Sequence, residues 1–402
     1  MSDKTAVRYP FEDALPAPGE AGAVAPGVHW IRMPLPFALD HINLWLLEDG
    51  DGWTVVDTGL GTEATWTLWE RLLAGPMAAR PVRRIVVTHY HPDHVGSAAW
   101  LAERTGAPVW MTAAEFLSAH AARDDTAGFD RATGIDFFGL NGLDISAIPD
   151  KVRTGNRYRK GVPGLPRTYH RLLHGDTLGI GGHDWRVICV HGHAPEHAAL
   201  FCPSLGVLIS GDQVLPRITT NVGVWGNQPE ANPLRLYLDS FARFADIPGS
   251  VRVLPSHDRV FEGLHPRIIQ LAEHHAERLG KLLAACDRPV TAFEVLPVLF
   301  RRKLDEHQLG FAMGEAIAHL HYLEAEGKVT RVVEDGLRRF VRAYRGQGGG
   351  GRGLGGLMRQ APDCRCGLVR SARVSCTVAL LHAGAALPDP PSTPAGGSCR
   401  PC

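Results

Sequence analysis

The first sustained apolar pattern begins near residue 27, where VHWIRMPL and HINLWLLED are followed, across a Gly-Asp-Gly turn, by WTVVDTG. Asp51-Gly52 is a dipeptide that tight hairpins favour, so antiparallel strands entering a sheet are expected here. Helical spacing runs from Ala64 to Leu73, RRIVVTH reads as a buried strand, and a second helix is expected to start between Pro92 and Ser97. The order β-β-β-α-β-α implies a sheet layered with helices, an α+β architecture. Between about 115 and 171 the strand pattern is lost, and TGNRYRKGVPGLPRTYHR reads as part of an inserted cap of helix and loop. Strand character returns in DTLGIGGHDWRVICV, with Gly181-Gly182 as a tight turn, in AALFCPSLGVLISGD and in SVRVLPSH.

Beyond about Pro266 the periodicity becomes helical. PRIIQLAEHHAERLGKLLAAC carries apolar residues at helical spacing, and Thr291 with Glu294 forms a capping box ahead of VLPVLF. A third helix is expected from about Asp305 to Glu326, ending at Gly327, and KVTRVV and LRRFVRA read as a hairpin turning at Asp335-Gly336. Three helices and a hairpin in this order are the plan of a winged helix. After about Gly346 the chain is Gly-rich and then aperiodic in Cys, Arg, Ser and Pro, a composition that predicts disorder. The expected organisation is thus an extension (1–24), a sheet-and-helix domain (25–265, cap about 115–171), a winged helix (266–344) and a disordered tail (345–402).

Composition narrows the function classes. Among 402 residues, 42 Lys and Arg balance 42 Asp and Glu, so no global field draws the chain to nucleic acid or an anionic membrane. No run of about 18 apolar residues is present, which predicts no membrane span. The first twenty residues mix acids and prolines without a central apolar stretch, and a cytoplasmic location is expected. Cys189, Cys202 and Cys286 stand singly beside aliphatic residues, as reduced core cysteines do. Cys364, Cys366, Cys376, Cys399 and Cys402 crowd the tail without a second pair at zinc-ribbon spacing.

The densest chemistry is Thr88-His89-Tyr90-His91-Pro92-Asp93-His94-Val95-Gly96, placed where a strand gives out and a helix begins. Three His and an Asp within six residues are costly to gather unless a cation organises them. Three later clusters, His191-Gly-His193-Ala-Pro-Glu-His197, Ser210-Gly211-Asp212 and Pro255-Ser256-His257, each follow another strand-like run, so four strand ends can converge on one sheet edge.

HxHxDH, then Gly-His, then Gly-Asp, then a later His resembles the ligand order of the metallo-β-lactamase superfamily, in particular its glyoxalase II-like and RNase Z-like dinuclear members. The resemblance implies an αββα sandwich holding two divalent metal ions, zinc foremost, with manganese or iron as alternatives. It implies His89, His91 and His193 on the first ion, Asp93, His94 and His257 on the second, and Asp212 bridging them. His193 is preferred to His191 because it directly follows Gly192. Asp57, closing WTVVDTG, matches a motif whose carboxylate orients a ligand. His197 matches an extra histidine four residues on, a supporting or substrate-contacting group or a satisfied structural histidine.

Two such ions about 3.5–4 Å apart share a water, lower its pKa towards about 7 and stabilise an oxyanion, so the expected nucleophile is a metal-bound hydroxide. Asp93 is the expected catalytic residue, accepting the proton or holding the water in line. No G-x-S-x-G elbow competes with this reading. The expected substrate is a thioester, lactone or related carboxyl ester. Arg157, Tyr158, Arg159, Lys160, Tyr169 and Arg171 of the cap either suit an anionic one or form a solvated loop.

The appended winged helix is similar to that of a metallo-hydrolase group that includes lactamase-like endoribonucleases, which makes RNA an alternative substrate at the same centre. Its basic residues, Arg301, Arg302, Lys303, Arg331, Arg338 and Arg339, stand among acids and serve either nucleic-acid contact or packing and homodimer contact. Two other classes stay open: a mononuclear iron enzyme of the persulfide dioxygenase type, and a nucleic-acid-binding regulator acting through the winged helix.

Overall fold

The computed structural model describes residues 7–343 apart from 13, 38, 148–154 and 302, and omits the side chains of Glu306 and His307; the expected disordered tail lies outside the described residues. One sheet runs in chain order through β1 (Ala21–Ala25), β2 (Val28–Pro34), β3 (His41–Asp49), β4 (Gly52–Val56), β5 (Val82–Val86), β6 (Val109–Thr112) and β7 (His170–Leu172). β1 to β4 pair antiparallel and β4 to β7 parallel. The second sheet contains β8 (Thr177–Ile180), β9 (His183–Val190), β10 (His197–Cys202), β11 (Val207–Gly211), β12 (Arg252–Pro255) and β13 (Phe261–Glu262). Only its β11–β12 pair is parallel.

Alternation along the strands sets the layers. On β3, Trp45 and Leu47 face the second sheet while Ile42, Leu44 and Leu46 face helices. On β9, Trp185, Val187 and Cys189 face the first sheet while Ile188 and Val190 face outward. Trp30 and Trp45 stack at 6.1 Å in the seam between the sheets. Truncating either costs about 3–5 kcal/mol, because the seam cannot close over the void. The outer face of the first sheet is covered by α1 (Glu63–Ala74), α3 (Ala98–Thr105), which follows the short α2 (Pro92–Val95), and α4 (Ala113–Arg123). Helices α5 (Arg131–Leu140) and α6 (Arg157–Gly161) lie in the expected cap.

The outer face of the second sheet packs against α7 (Pro233–Ser240) and the C-terminal elements: α8 (Leu264–Ala285), α9 (Leu296–Leu299), α10 (Glu306–Ala325) and the hairpin β14 (Val329–Glu334) and β15 (Leu337–Arg342). Helix, helix, helix and hairpin thus follow in the order expected. The Thr291–Glu294 capping box forms reciprocally at 2.7 and 3.2 Å, and a second box, Asp305 with Gln308, starts α10. Asp335 and Gly336 both take positive φ, 52° and 76°, as a two-residue primed turn requires.

Three local expectations shift. The first hairpin turns at Gly50-Asp51, since Asp49 pairs with Gly52; φ of 63° at Gly50 relieves the bend there. The stretch assigned to an extension supplies β1, whose AGAVA has too little apolar bulk to announce a strand. The stretch assigned to the cap begins within α4 and ends at β7, both parts of the sandwich. Among the described residues no helix is long and apolar enough to cross a membrane.

Between α8 and α10, His275 Nδ1 lies 3.1 Å from His319 Nε2 in full burial, beside the Arg278–Glu315 ion pair at 3.0 Å. Burial, reinforced by the His319 ring, pushes His275 down to about 3, and burial, only partly opposed by the hydrogen bond to the Glu315 carbonyl, pushes His319 down to about 4. Both values lie below those of the unfolded chain, so the unfolded state binds more protons as pH falls through about 6.5, and stability declines below that point. The pair is expected to cost roughly 2–3 kcal/mol between pH 7.5 and 5.5. His275→Gln should remove about half of that decline, read from denaturant midpoints of the metal-free chain at the two pH values.

Candidate metal centre

The polar groups of the site hang from strand ends. β4 is followed by Asp57, β5 runs out into Thr88 and His89, and α2, capped by His91, carries Asp93 and His94. In the second sheet β9 runs out towards His193, β10 begins at His197, β11 ends just before Asp212 and β12 just before His257. Parallel pairing of β4 with β5 and of β11 with β12 makes each pair open on one edge of its sheet.

There the structure gathers His89, His91, His193 and Asp212 in one cluster and Asp93, His94 and His257 in a second, with the ligand atoms of each within 4.8 Å of one another. His89 Nε2 is 2.9 Å from His91 Nδ1 and 3.2 Å from His193 Nε2. Asp93 Oδ2 is 3.7 Å from His94 Nε2 and 3.4 Å from His257 Nε2. Asp212 faces both ways: Oδ2 lies 3.4 Å from His193 Nε2, while Oδ1 lies 3.5 Å from His94 Nε2 and 3.4 Å from His257 Nε2. Ligand atoms around a tetrahedral zinc stand about 3.4 Å apart, so these spacings suit a divalent cation in each cluster. Two buried atoms aimed into the site, His94 Nε2 and Asp212 Oδ1, have no hydrogen-bond partner among the described residues. A cation satisfies both, where leaving each unpaired costs about 1–3 kcal/mol.

Electrostatics divides the histidines. Burial, reinforced by neighbouring imidazoles, holds His89 and His91 well below the usual histidine range, as neutral ligands require. Burial also opposes charge on His94, but Asp57, Asp93 and Asp212 outweigh it and raise that imidazole well above its usual range. His257 is raised in the same way, chiefly by Asp212. Burial alone would raise Asp212, yet His257 and His94 hold its carboxyl well below the usual range.

A supporting layer fixes these ligands. Asp57 Oδ2 lies 2.8 Å from His94 Nδ1 and accepts from the Thr88 hydroxyl, while Oδ1 accepts from the Thr88 amide at 2.8 Å. It holds this place at φ 61°, a left-handed conformation costly to a side-chain-bearing residue. His193 Nδ1 faces the Asn221 carbonyl at 2.8 Å and His257 Nδ1 the His41 carbonyl at 2.9 Å. His197, pushed down to about 3 by burial, is a neutral acceptor for the Asp212 amide at 3.2 Å. It packs so close to Gly211 that a Cβ there would lie 2.1 Å from its Nε2. His191 turns away, its Nδ1 at 2.8 Å from the Pro195 carbonyl.

The cap residues named as substrate contacts fall into two groups. Arg157 and Lys160 are exposed. The Tyr158 hydroxyl instead donates to the Tyr90 carbonyl at 2.5 Å, and Tyr169 stacks on Phe116 at 4.1 Å.

Two further residues escape the sequence reading. Glu115 is fully buried, and its two oxygens accept the amides of Tyr90 at 2.9 Å and Glu196 at 2.5 Å, tying the His89–His94 loop to the 191–197 loop. Burial raises its carboxyl to about 8. An acid in the first turn of a helix is too ordinary to flag it. Asn43 holds the turn bearing His257 by donating to the carbonyls of Pro255 and Asp258 at 2.8 and 3.0 Å. An asparagine inside an apolar strand is a signal that could have found it.

Folded around such a centre, the chain is a metal-dependent hydrolase in class. It belongs to the metallo-beta-lactamase superfamily, whose profile matches residues 38–257, and a second profile, "Metallo-beta-lactamase-like, C-terminal domain", matches residues 279–343. It is similar to the crystal structure of a beta-lactamase domain protein from Burkholderia ambifaria, with 45% identity and a TM-score of 0.80 over 85% of this chain and 99% of that one. It is 26% identical to a Bacillus subtilis protein named "Probable metallo-hydrolase YqjP" over 75% of this chain and 93% of the relative. An atrochrysone carboxyl ACP thioesterase of Passalora fulva is 22% identical over 76% of this chain and 78% of its own.

Asp57→Ala frees the His94 ring and is expected to weaken metal binding about ten- to a hundredfold, read by competition with a chromophoric chelator. Glu115→Ala strands two buried amides and should cost about 1–3 kcal/mol for each, read from the denaturant midpoint.

Proposed function

We propose that the chain hydrolyses a thioester, or a related carboxyl ester or lactone, of an anionic acid, using two zinc ions at the paired clusters. The observation that carries this reading is the division of Asp212, with one oxygen towards His193 and the other towards His94 and His257. A bridging carboxylate with separate ligand groups on either side suits two ions better than the single iron of a persulfide dioxygenase-type enzyme. Zinc held there would supply a water acidified towards a pKa of about 7 and Lewis acidity towards the attacked carbonyl oxygen.

The protein residues supply position and proton transfer. Asp93 is the more open of the two carboxylates, its side chain 20% exposed against 10% for Asp212, and it is the group we assign to take the proton of the attacking water. Asp57 and His197 keep His94 and Asp212 in place. Exposed Arg157 and Lys160 supply positive charge on the cap for an acidic substrate tail. The name of the Passalora fulva relative, a thioesterase, supports the choice of thioester.

RNA is the weaker reading. Arg331 pairs with Glu230 and Glu324 at 2.7 and 2.9 Å, Arg338 with Glu230 at 3.0 Å, and Arg339 with Glu294 at 3.2 Å. Arginines neutralised within their own fold offer a phosphate backbone little. We accordingly read the winged-helix plan of the C-terminal elements as serving packing. Cys189, Cys202 and Cys286 are free, in keeping with the cytoplasm as the expected compartment.

The purified protein is expected to carry about two equivalents of zinc per chain and to hydrolyse anionic thioesters. His91→Ala should lose both metal and turnover. Charge reversal at Arg157 and Lys160 should raise KM for an anionic thioester and leave metal content unchanged. One iron per chain with oxygen consumption, or full turnover after exhaustive chelation, would overturn the proposal.

A further inference from the structure

The chain between Asp212 and the end of α7 touches the ligand-bearing turns on one side and the C-terminal elements on the other. On the first side, the Thr220 hydroxyl donates to the Asp212 carbonyl, the Asn221 carbonyl lies 2.8 Å from His193 Nδ1, and the Tyr237 hydroxyl donates to the Gln213 carbonyl at 3.0 Å. Tyr237 and Pro233 also close over Gly192, next to His193: a Cβ on Gly192 would lie 2.5 Å from Tyr237 Cβ and 2.6 Å from the Pro233 carbonyl oxygen.

On the second side the same stretch is fastened repeatedly. The Val224 amide donates to the Gly314 carbonyl of α10 at 3.0 Å, and the Trp225 ring meets Phe311 edge-on at 5.9 Å. Glu230 takes both Arg331 and Arg338 of the hairpin, His321 Nδ1 lies 2.9 Å from the Ala231 carbonyl, and Arg235 pairs with Glu326. Gly314 stands in mid-helix, where glycine is unfavourable. Its position is explained by close approach: a Cβ there would meet the Val224 carbonyl oxygen at 3.3 Å and Gly223 Cα at 3.4 Å.

A ligand histidine takes its tautomer and ring direction from whatever its other nitrogen is bonded to. For His193 that partner is a backbone carbonyl three residues from the anchor at Val224. We propose that residues 213–237 form a strap through which the C-terminal helices and hairpin hold His193 and Asp212 in ligating geometry. Thr220 and the Asn221 carbonyl are the positioning groups, and Gly314 and His321 are the anchors. The C-terminal region is then a working part of the metal centre, whichever ester the site cleaves.

The test uses the full chain. Zinc affinity is measured by competition with a chromophoric chelator, alongside the denaturant midpoint, for Gly314→Leu, His321→Phe, Thr220→Val and, as a control, Leu282→Ala. Leu282 is buried in the same C-terminal core on α8 and makes none of the hydrogen bonds, ion pairs or ring contacts named above. The anchor variants and Thr220→Val are expected to bind at least one equivalent of zinc about ten- to a hundredfold more weakly. Leu282→Ala should lower the midpoint and leave zinc affinity at the wild-type level. If Gly314→Leu does not fold, His321→Phe and Thr220→Val decide. Wild-type zinc affinity in both, or an equal loss in Leu282→Ala, overturns the proposal.

Discussion

Asp212 has its carboxyl held well below the usual range in a place where only 7% of the residue is exposed. A carboxylate removed so far from water costs several kcal/mol and takes up a proton unless positive charge surrounds it. Here that charge comes from His257 and His94 on one side of the group, with the His193 ring against its other oxygen. The three imidazoles belong to three different segments and to both halves of the sandwich, so Asp212 is stable only when the whole sandwich has closed. The burial of one carboxylate therefore sets the requirement that the rest of the fold meets.

The same requirement couples metal binding to folding. His89, His91, Asp93 and His94 follow strands of the first sheet, while His193, Asp212 and His257 follow strands of the second. A cation that joins ligands from both halves binds the folded state and not the unfolded one, and its binding free energy adds to stability. The seam is already tight without it: Trp30 donates to Asn43 at 2.8 Å, and Asn43 in turn carries the turn bearing His257. One asparagine on the first sheet thus sets the height of a ligand on the second.

The clustering of these histidines and aspartates is legible in the sequence because each of their groups follows an apolar run of strand length, where the chain must leave the sheet. Hairpins and caps are legible for a similar reason: Gly181-Gly182, Asp335-Gly336 and the Thr291–Glu294 box rest on contacts between residues a few positions apart. The supporting layer is hidden by contrast. Glu115 acts on the amides of Tyr90 and Glu196, and Asn221 acts through its carbonyl, so no side-chain pairing is written into the sequence. Strand β1 is hidden because, beyond Val24, its small residues give it no apolar face large enough to announce a strand, and it is held mainly by pairing with β2.

His193 differs from the other ligands in how it is held. His89, Asp212 and His257 extend ladder-bonded strands, and Asp93 and His94 lie in a helix whose cap is His91. His193 stands in the loop between β9 and β10, where backbone pairing gives it no direct support. Within that loop Ser240 of α7 accepts the His191 amide, Glu115 accepts the Glu196 amide, and Asn221 accepts from the ring itself. Every one of these supports comes from a segment outside the two strands that the loop joins. A ligand displaced by about half an ångström loses productive geometry, so the loop needs rigid neighbours, and those on the Asn221 side are themselves bonded to the C-terminal helix α10. The ligand least supported by its own sheet is the one that most needs the rest of the chain.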